Sequence, residues 1–307
     1  MASARPDGAG RPAGQDRLPR DGLVLLALVT LAWGLAWPAM KIVLNEMSPW
    51  TFREVTLPVG GLILMAIARL AGQPLAVPRG KWRALIVVAL INVGGWQLFS
   101  ALGLAHLPSG RAVLIAYTMP LWASLAGAWL LGERLTPRLG VALVLGMAGV
   151  GVLMGGSLAT LGAAPRGIVY MLLAAFCWGV GVVLLKRVIW EMPTLSLAAW
   201  QLVISSIPIA LLAALVEGVS LPSLSPPALA TLVFVILVPI CFCSWAFFKV
   251  VSLFPANVSA IGTLMIPVVG VVSGSLILDE PIGWREVASL ALIVSSLVLT
   301  LFFPGRR

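Results

Sequence analysis

The sequence predicts an all-α integral membrane protein, with ten transmembrane helices arranged as two inverted five-helix repeats. Three observations carry that expectation. Of 307 residues, 60% are apolar and 10% charged, against roughly 45–50% and about 25% in a soluble domain. The mean hydropathy is +1.06 and holds along nearly the whole chain, a load of apolar surface that only a bilayer can solvate. The two halves also repeat one another at nearly constant spacing.

Residues 1–21 are polar and rich in Gly, Pro and Arg. They lack the apolar core of a cleaved leader and read as a disordered cytoplasmic tail. Ten apolar runs follow, at 22–40, 50–70, 84–105, 112–131, 139–154, 167–185, 195–216, 228–250, 258–278 and 287–303. Each is near the ~20 residues that cross a hydrocarbon core as a helix. They are too long for barrel strands and do not alternate with period two. Runs one to five form a first repeat over 22–154, and runs six to ten a second over 167–303.

Charge gives direction. With the N-terminus inside, five of the 20 Lys and Arg residues fall outside, namely Lys41, Arg53, Arg111, Arg166 and Arg285. The other fifteen fall inside, the cytoplasmic bias expected of short loops. Both termini are therefore expected in the cytoplasm. The net charge of +9 lies in these segments between runs. It suits anionic lipid and excludes a nucleic-acid surface.

The repeat has five anchors. Ala32-Trp33-Gly34 with Lys41 matches Cys177-Trp178-Gly179 with Lys186 at an offset of 145. Pro108, Pro120 and Glu133 match Pro255, Pro267 and Glu280 at an offset of 147. Because each half has an odd number of spans, the second must enter the membrane upside down. Inverted repeats make alternating access simple, with a site between the halves near the midplane.

These residues carry a resemblance. Ala32-Trp33-Gly34, the Leu131–Thr136 stretch Leu-Gly-Glu-Arg-Leu-Thr, and Leu278-Asp279-Glu280-Pro281 resemble the drug/metabolite transporter superfamily. The EamA-type branch is nearest, and within it the YddG-type aromatic amino-acid exporters. The resemblance spans about 22–303. It implies ten spans, a central cavity lined by spans one, three, four, six, eight and nine, and export of amino acids or other small metabolites across a bacterial inner membrane.

Candidate site residues follow from polar and aromatic groups within the runs. Thr30, Trp33, Trp37 and Lys41 share one helical face, and Asn92, Trp96 and Ser100 another, with Gln97 adjacent. Tyr117 and Thr118 precede Pro120, Trp178 is the mate of Trp33, and Ser244 and Trp245 lie in run eight. Polar groups in hydrocarbon are costly, so these faces should point into the bundle or a wet cavity. Large rings with one N–H or O–H suit bulky, partly apolar substrates. Helix packing accounts for the same tryptophans equally well, and Asn92 and Gln97 also fit interhelical hydrogen bonding. Trp50, Trp82, Trp190 and Trp284 lie at run ends and read as interfacial.

Pro120 and Pro267 sit at equivalent places in runs four and nine, as hinges or as fixed kinks. Glu133 and Glu280 could close gates through Arg134 or Arg285. Solvated interface charges are preferred, since exposed pairs contribute little. His106 reads as interfacial. Cys177, Cys241 and Cys243 lie in apolar runs without a zinc pattern, so neither metal nor cofactor is expected. No Asp or Glu falls mid-run, which favours facilitated diffusion or exchange over proton coupling. Among cations only Lys41, Lys186 and Lys249 approach the runs, near their ends, so a neutral or zwitterionic substrate is expected. The chain is expected to act as a monomer in the bilayer. A lipid-acting enzyme is disfavoured by the lack of a catalytic pair, and a channel by the built-in pseudo-symmetry.

Overall fold

The computed structural model describes residues 20–132, 137–154, 164–218, 223–253 and 256–302. Most of the expected N-terminal tail and Glu133 lie outside the described residues. Within them all regular structure is helical. The helices are α1 (Arg20–Leu44), α2 (Pro49–Leu70), α3 (Trp82–His106), α4 (Ser109–Leu131) and α5 (Pro137–Met154). There follow α6 (Ala164–Lys186), α7 (Thr194–Glu217), α8 (226–253), α9 (Ala256–Leu278) and α10 (Trp284–Phe302). Seven helices among the described residues are long and apolar enough to cross a membrane, and Pro137–Leu153 and Leu264–Leu278 are shorter apolar helices.

Local sequence explains where these helices begin. Ser48 precedes Pro49, and its hydroxyl accepts the Thr51 N–H at 3.1 Å. Ser225 precedes Pro226 and accepts the Ala228 N–H at 3.3 Å. A serine cap followed by proline stops the chain on one side and starts a helix on the other. Each cap is tied to a distant carboxylate. Glu217 accepts from Ser48 and, at 3.2 Å, from Thr51. Glu46 accepts the Ser225 N–H at 2.8 Å and its hydroxyl at 2.7 Å.

Those bonds from Ser225 hold the Glu46 carboxyl below the usual carboxylate range. Because the folded value is the lower one, the Glu46 tie is present above the unfolded value and is lost as pH falls through the folded one. Thermal stability in detergent should therefore fall below about pH 4.5, and Glu46→Gln should flatten part of that acid limb.

Packing repeats between the halves. α1 lies on α9 as α6 lies on α4, and α3 lies on α6 as α8 lies on α1. The pairs α2–α7, α4–α9 and α5–α10 are their own counterparts when each helix is advanced by five. α3 and α8 each contain a π-helical stretch, Ala89–Gly95 and Ile236–Phe242, separated by the same 147 residues as the proline pairs. Close approach at glycine is also doubled. A Cβ on Gly34 would stand 2.3 Å from Val269 Cγ1, and one on Gly179 would stand 2.6 Å from the Ala123 nitrogen. Small residues at such crossings let apolar helices pack backbone to backbone.

The proline pair is unequal. Proline has no N–H, and its ring clashes with the carbonyl four residues earlier. In α4 the chain breaks at Tyr117–Thr118 and restarts at Met119, with Pro120 in the first turn. Pro267 lies within an unbroken α9. Of the two prolines expected as hinges or fixed kinks, Pro120 thus lies beside a break in its helix and Pro267 within a continuous one.

Candidate functional site

One face of α1 and one of α3 meet in an aromatic seam. Trp37 is 5% exposed and stands edge-on to Trp96, with ring centroids 6.4 Å apart and planes at 89°. Trp33, one turn earlier on α1, donates its indole N–H to the Pro239 carbonyl at 3.3 Å and leans on Phe247 at 5.2 Å. Tyr117, at the break in α4, is buried in the same cluster, and Met119 packs against it. The seam therefore joins α1, α3 and α4, with α8 behind Trp33.

Asn92, in the π-helical stretch of α3, donates to the Trp178 carbonyl at 3.3 Å. Gly181, one turn further on α6, makes room for it, since a Cβ there would lie 2.4 Å from Asn92 Cα. Trp178 thus serves this contact through its backbone. Gln97 is half-buried, and its carbonyl accepts from Arg53 at 2.7 Å. Thr30 and Ser244 donate back to Leu26 and Ile240 of their own helices. Trp245 stands apart from the seam, 46% exposed and against Phe242 at 6.1 Å.

Two charged residues, Arg53 and Glu280, depart from their expected places. Arg53, counted among outer loop charges, is 1% exposed inside the bundle. Glu280 makes no ion pair with Arg285, whose guanidinium lies over the Trp284 ring at 5.4 Å. It caps the start of α4 instead, accepting the Ser109 N–H at 2.6 Å, the Ser109 hydroxyl at 2.9 Å and the Gly110 N–H at 2.9 Å. A carboxylate at exposed helix N–H groups and the positive dipole end is well placed. Next to Gly110, Arg111 pairs with Glu286 at 2.8 Å. Lys41 donates to the Leu104 and Ala105 carbonyls at 2.9 and 3.1 Å, closing the end of α3. His106 sits on that same end, its Nδ1 2.8 Å from the Leu102 carbonyl.

The Glu280 cap had no local signal in the sequence, because the start of α4 reads Pro108-Ser109, the reverse of the Ser-Pro starts at Ser48 and Ser225, and has no side-chain cap of its own. Arg53 left no such signal, because a cation near a run end looks the same whether it faces water or protein.

Two concavities flank the seam. A groove of about 340 Å³ runs along the other face of α1, lined by Leu35, Ala39, Ile42, Phe234 and Ile277 among others. A recess of about 40 Å³ lies by Pro108, Arg111, Glu280 and Glu286. Neither is lined by the tryptophans of the seam.

Apolar helices that pair across two exchangeable halves, with polar contacts concentrated on inward faces, define a multi-pass membrane transporter. The chain belongs to the EamA-like transporter family, whose model matches it twice, over residues 20–155 and 165–302, and with it to the drug/metabolite transporter superfamily. It is 28% identical over 280 residues to the "Uncharacterized transporter YvbV" of Bacillus subtilis (strain 168), covering 90% of each chain. It is 27% identical over 299 residues to a "Probable amino-acid metabolite efflux pump" of Salmonella typhimurium, covering 94% of this chain and 97% of that one. A solved crystal structure superposes with a TM-score of 0.64 at 25% identity, over 92% of this chain and 97% of its own.

Proposed function

We propose that the chain exports small metabolites, amino acids among them, across the bacterial inner membrane by alternating access. In this reading its ten spans form two inverted five-helix repeats with both termini cytoplasmic. The observation that carries it is the exchangeable packing, α1–α9 with α6–α4 and α3–α6 with α8–α1, gathered around the seam of Trp33, Trp37, Trp96 and Tyr117. Two units that can trade arrangements around a fixed site are what alternating access requires. The relative named as an amino-acid metabolite efflux pump supports the substrate class.

On this topology Glu280 and the Arg111–Glu286 pair seal the outer end, and Pro120 and Pro267 flank the moving segments. The site comprises the seam together with Asn92, Gln97 and Trp178. Pro239 and Phe247 of α8 stand behind Trp33, and Ser244 and Trp245 join the site only if α8 turns. Asp and Glu gather near helix ends, which favours facilitated diffusion or exchange.

Counterflow of radiolabelled amino acids into proteoliposomes tests the proposal. Saturable flux is expected, reduced about tenfold or more by Trp37→Ala and Trp96→Ala at unchanged protein yield, since each removes a large ring from the seam. Unchanged flux would remove the seam from the site, and flux strictly coupled to protons would overturn the uncoupled mechanism.

A further inference from the structure

We propose that Arg53 forms a carboxylate-selective subsite beside the aromatic seam, one that binds organic anions with an apolar body and takes no account of an ammonium group. The inference rests on the transport reading above and narrows its substrate class.

Arg53 is held from several sides. Its Nε donates to the Gln97 carbonyl at 2.7 Å and its Nη2 to the Ser100 hydroxyl at 3.2 Å, with Met40 Sδ at 3.7 Å. Its guanidinium lies 4.6 Å from the Phe52 ring centroid. Nη1 has no hydrogen-bond partner among the described residues. All these partners are neutral. A buried cation is stable when an anion balances it, and an uncompensated one is costly.

The elements packed around Arg53 supply no such anion. α3 and α8 contain no Asp or Glu. On α1, Asp21 lies in the first turn, far from Met40. Glu46, beyond its other end, is bound to Ser225. On α2, Glu54 is the next residue and points about 100° around the helix. On α7, Glu217 is engaged with Ser48 and Thr51 at the start of α2.

Position gives the ligand its shape. Met40 follows Trp37 by three residues and Ser100 follows Trp96 by four, so guanidinium and aromatic pair occupy successive levels of the same two faces. One level is ~5.4 Å, the reach from an aryl or branched apolar group to a carboxylate two or three bonds away. The planar guanidinium matches a carboxylate in a way that a lysine does not. With no acid nearby to receive it, an α-ammonium group adds nothing here. The expected class is therefore wider than zwitterions and includes carboxylic acids without an amine.

The full chain in detergent tests this with three matched probes: 3-phenylpropanoate, phenylalanine and phenethylamine. Thermal unfolding and tryptophan fluorescence titrations should show binding of both acids and, by at least about tenfold, weaker binding of the amine. Arg53→Met should erase that difference, and Arg53→Lys should keep it with weaker binding. An amine that binds as well as the acids, acids that do not bind, or a preference that survives Arg53→Met would make Arg53 a strut between α2 and α3 and overturn the proposal. If Arg53→Met does not fold, the wild-type ranking and Arg53→Lys decide. Counterflow with the same probes separates the two readings. Acid-selective binding without flux sinks transport and leaves the subsite, whereas flux without acid preference sinks the subsite and leaves transport.

Discussion

Gly179→Val should abolish transport and sharply lower the yield of folded protein. At this crossing of α6 on α4, an added Cβ would lie 2.6 Å from the Ala123 nitrogen, 2.8 Å from Trp122 Cβ and 2.9 Å from the Met119 carbonyl oxygen. Two of these are backbone atoms, so no side-chain rotation makes room. Overpacking commonly costs ~1–3 kcal/mol, occasionally more, and a rigid backbone neighbour puts this site at the upper end. Separating the helices would also pull Trp178 away from Asn92. Gly140 and Gly151 are controls within the same chain, since a Cβ at either meets nothing within 4 Å. Gly151→Val should leave yield and flux near wild type. Fluorescence-detected size exclusion and counterflow, run side by side, check both. Equal behaviour of the two variants would mean that the α6–α4 crossing does not constrain the bundle.

Glu280→Ala should lower net flux about tenfold and leave a folded protein. The change strips three hydrogen bonds from the start of α4. Hydrogen bonds to a charged group contribute ~1.5–3 kcal/mol each, net of exchange with water. Ser109 is fully buried, so replacement is incomplete at that hydroxyl. The arrangement with α4 tied to the α9–α10 turn then loses population to the opposite one, and a carrier biased to one side cycles slowly. Glu280→Gln keeps one acceptor oxygen and should fall between. A thiol reagent applied to a Ser109→Cys variant gives an independent readout. Labelling should be slow in the otherwise unchanged chain and fast with Glu280→Ala.

Much of this fold was legible because lipid enforces simple rules. A run of some twenty apolar residues can only be a helix there, and that rule marked every helix described. The constant offset between Trp33 and Trp178, or Pro108 and Pro255, reported a relation between halves that the packing of α1–α9 and α6–α4 echoes. The aromatic seam was half legible. Spacing put Trp33 and Trp37 on one face and Asn92 and Trp96 on another, but periodicity does not say which faces meet. Ser244 illustrates a second limit, because a hydroxyl in a helix can satisfy itself on the preceding turn and leave the sequence pattern unchanged. Trp245 follows Ser244 directly and so turns to another side. Arg53 and Glu280 were opaque for a third reason. Their environments are made by residues 44 and 171 positions away, and nothing local distinguishes a charge in solvent from one enclosed by distant neighbours.

The paired π-helical stretches set an azimuth. A bond from residue i to i+5 encloses one residue more than the α-helical bond. Each surplus residue turns everything beyond it by about 100° with little gain in length. Trp96 immediately follows the stretch in α3, and Cys243 follows the one in α8. The direction in which Trp96 and Ser100 face is therefore decided upstream, in Ala89–Gly95, and not by their own spacing. Were the surplus to migrate along α3, the rings would sweep around the axis like hands on a dial while both helix ends stayed anchored.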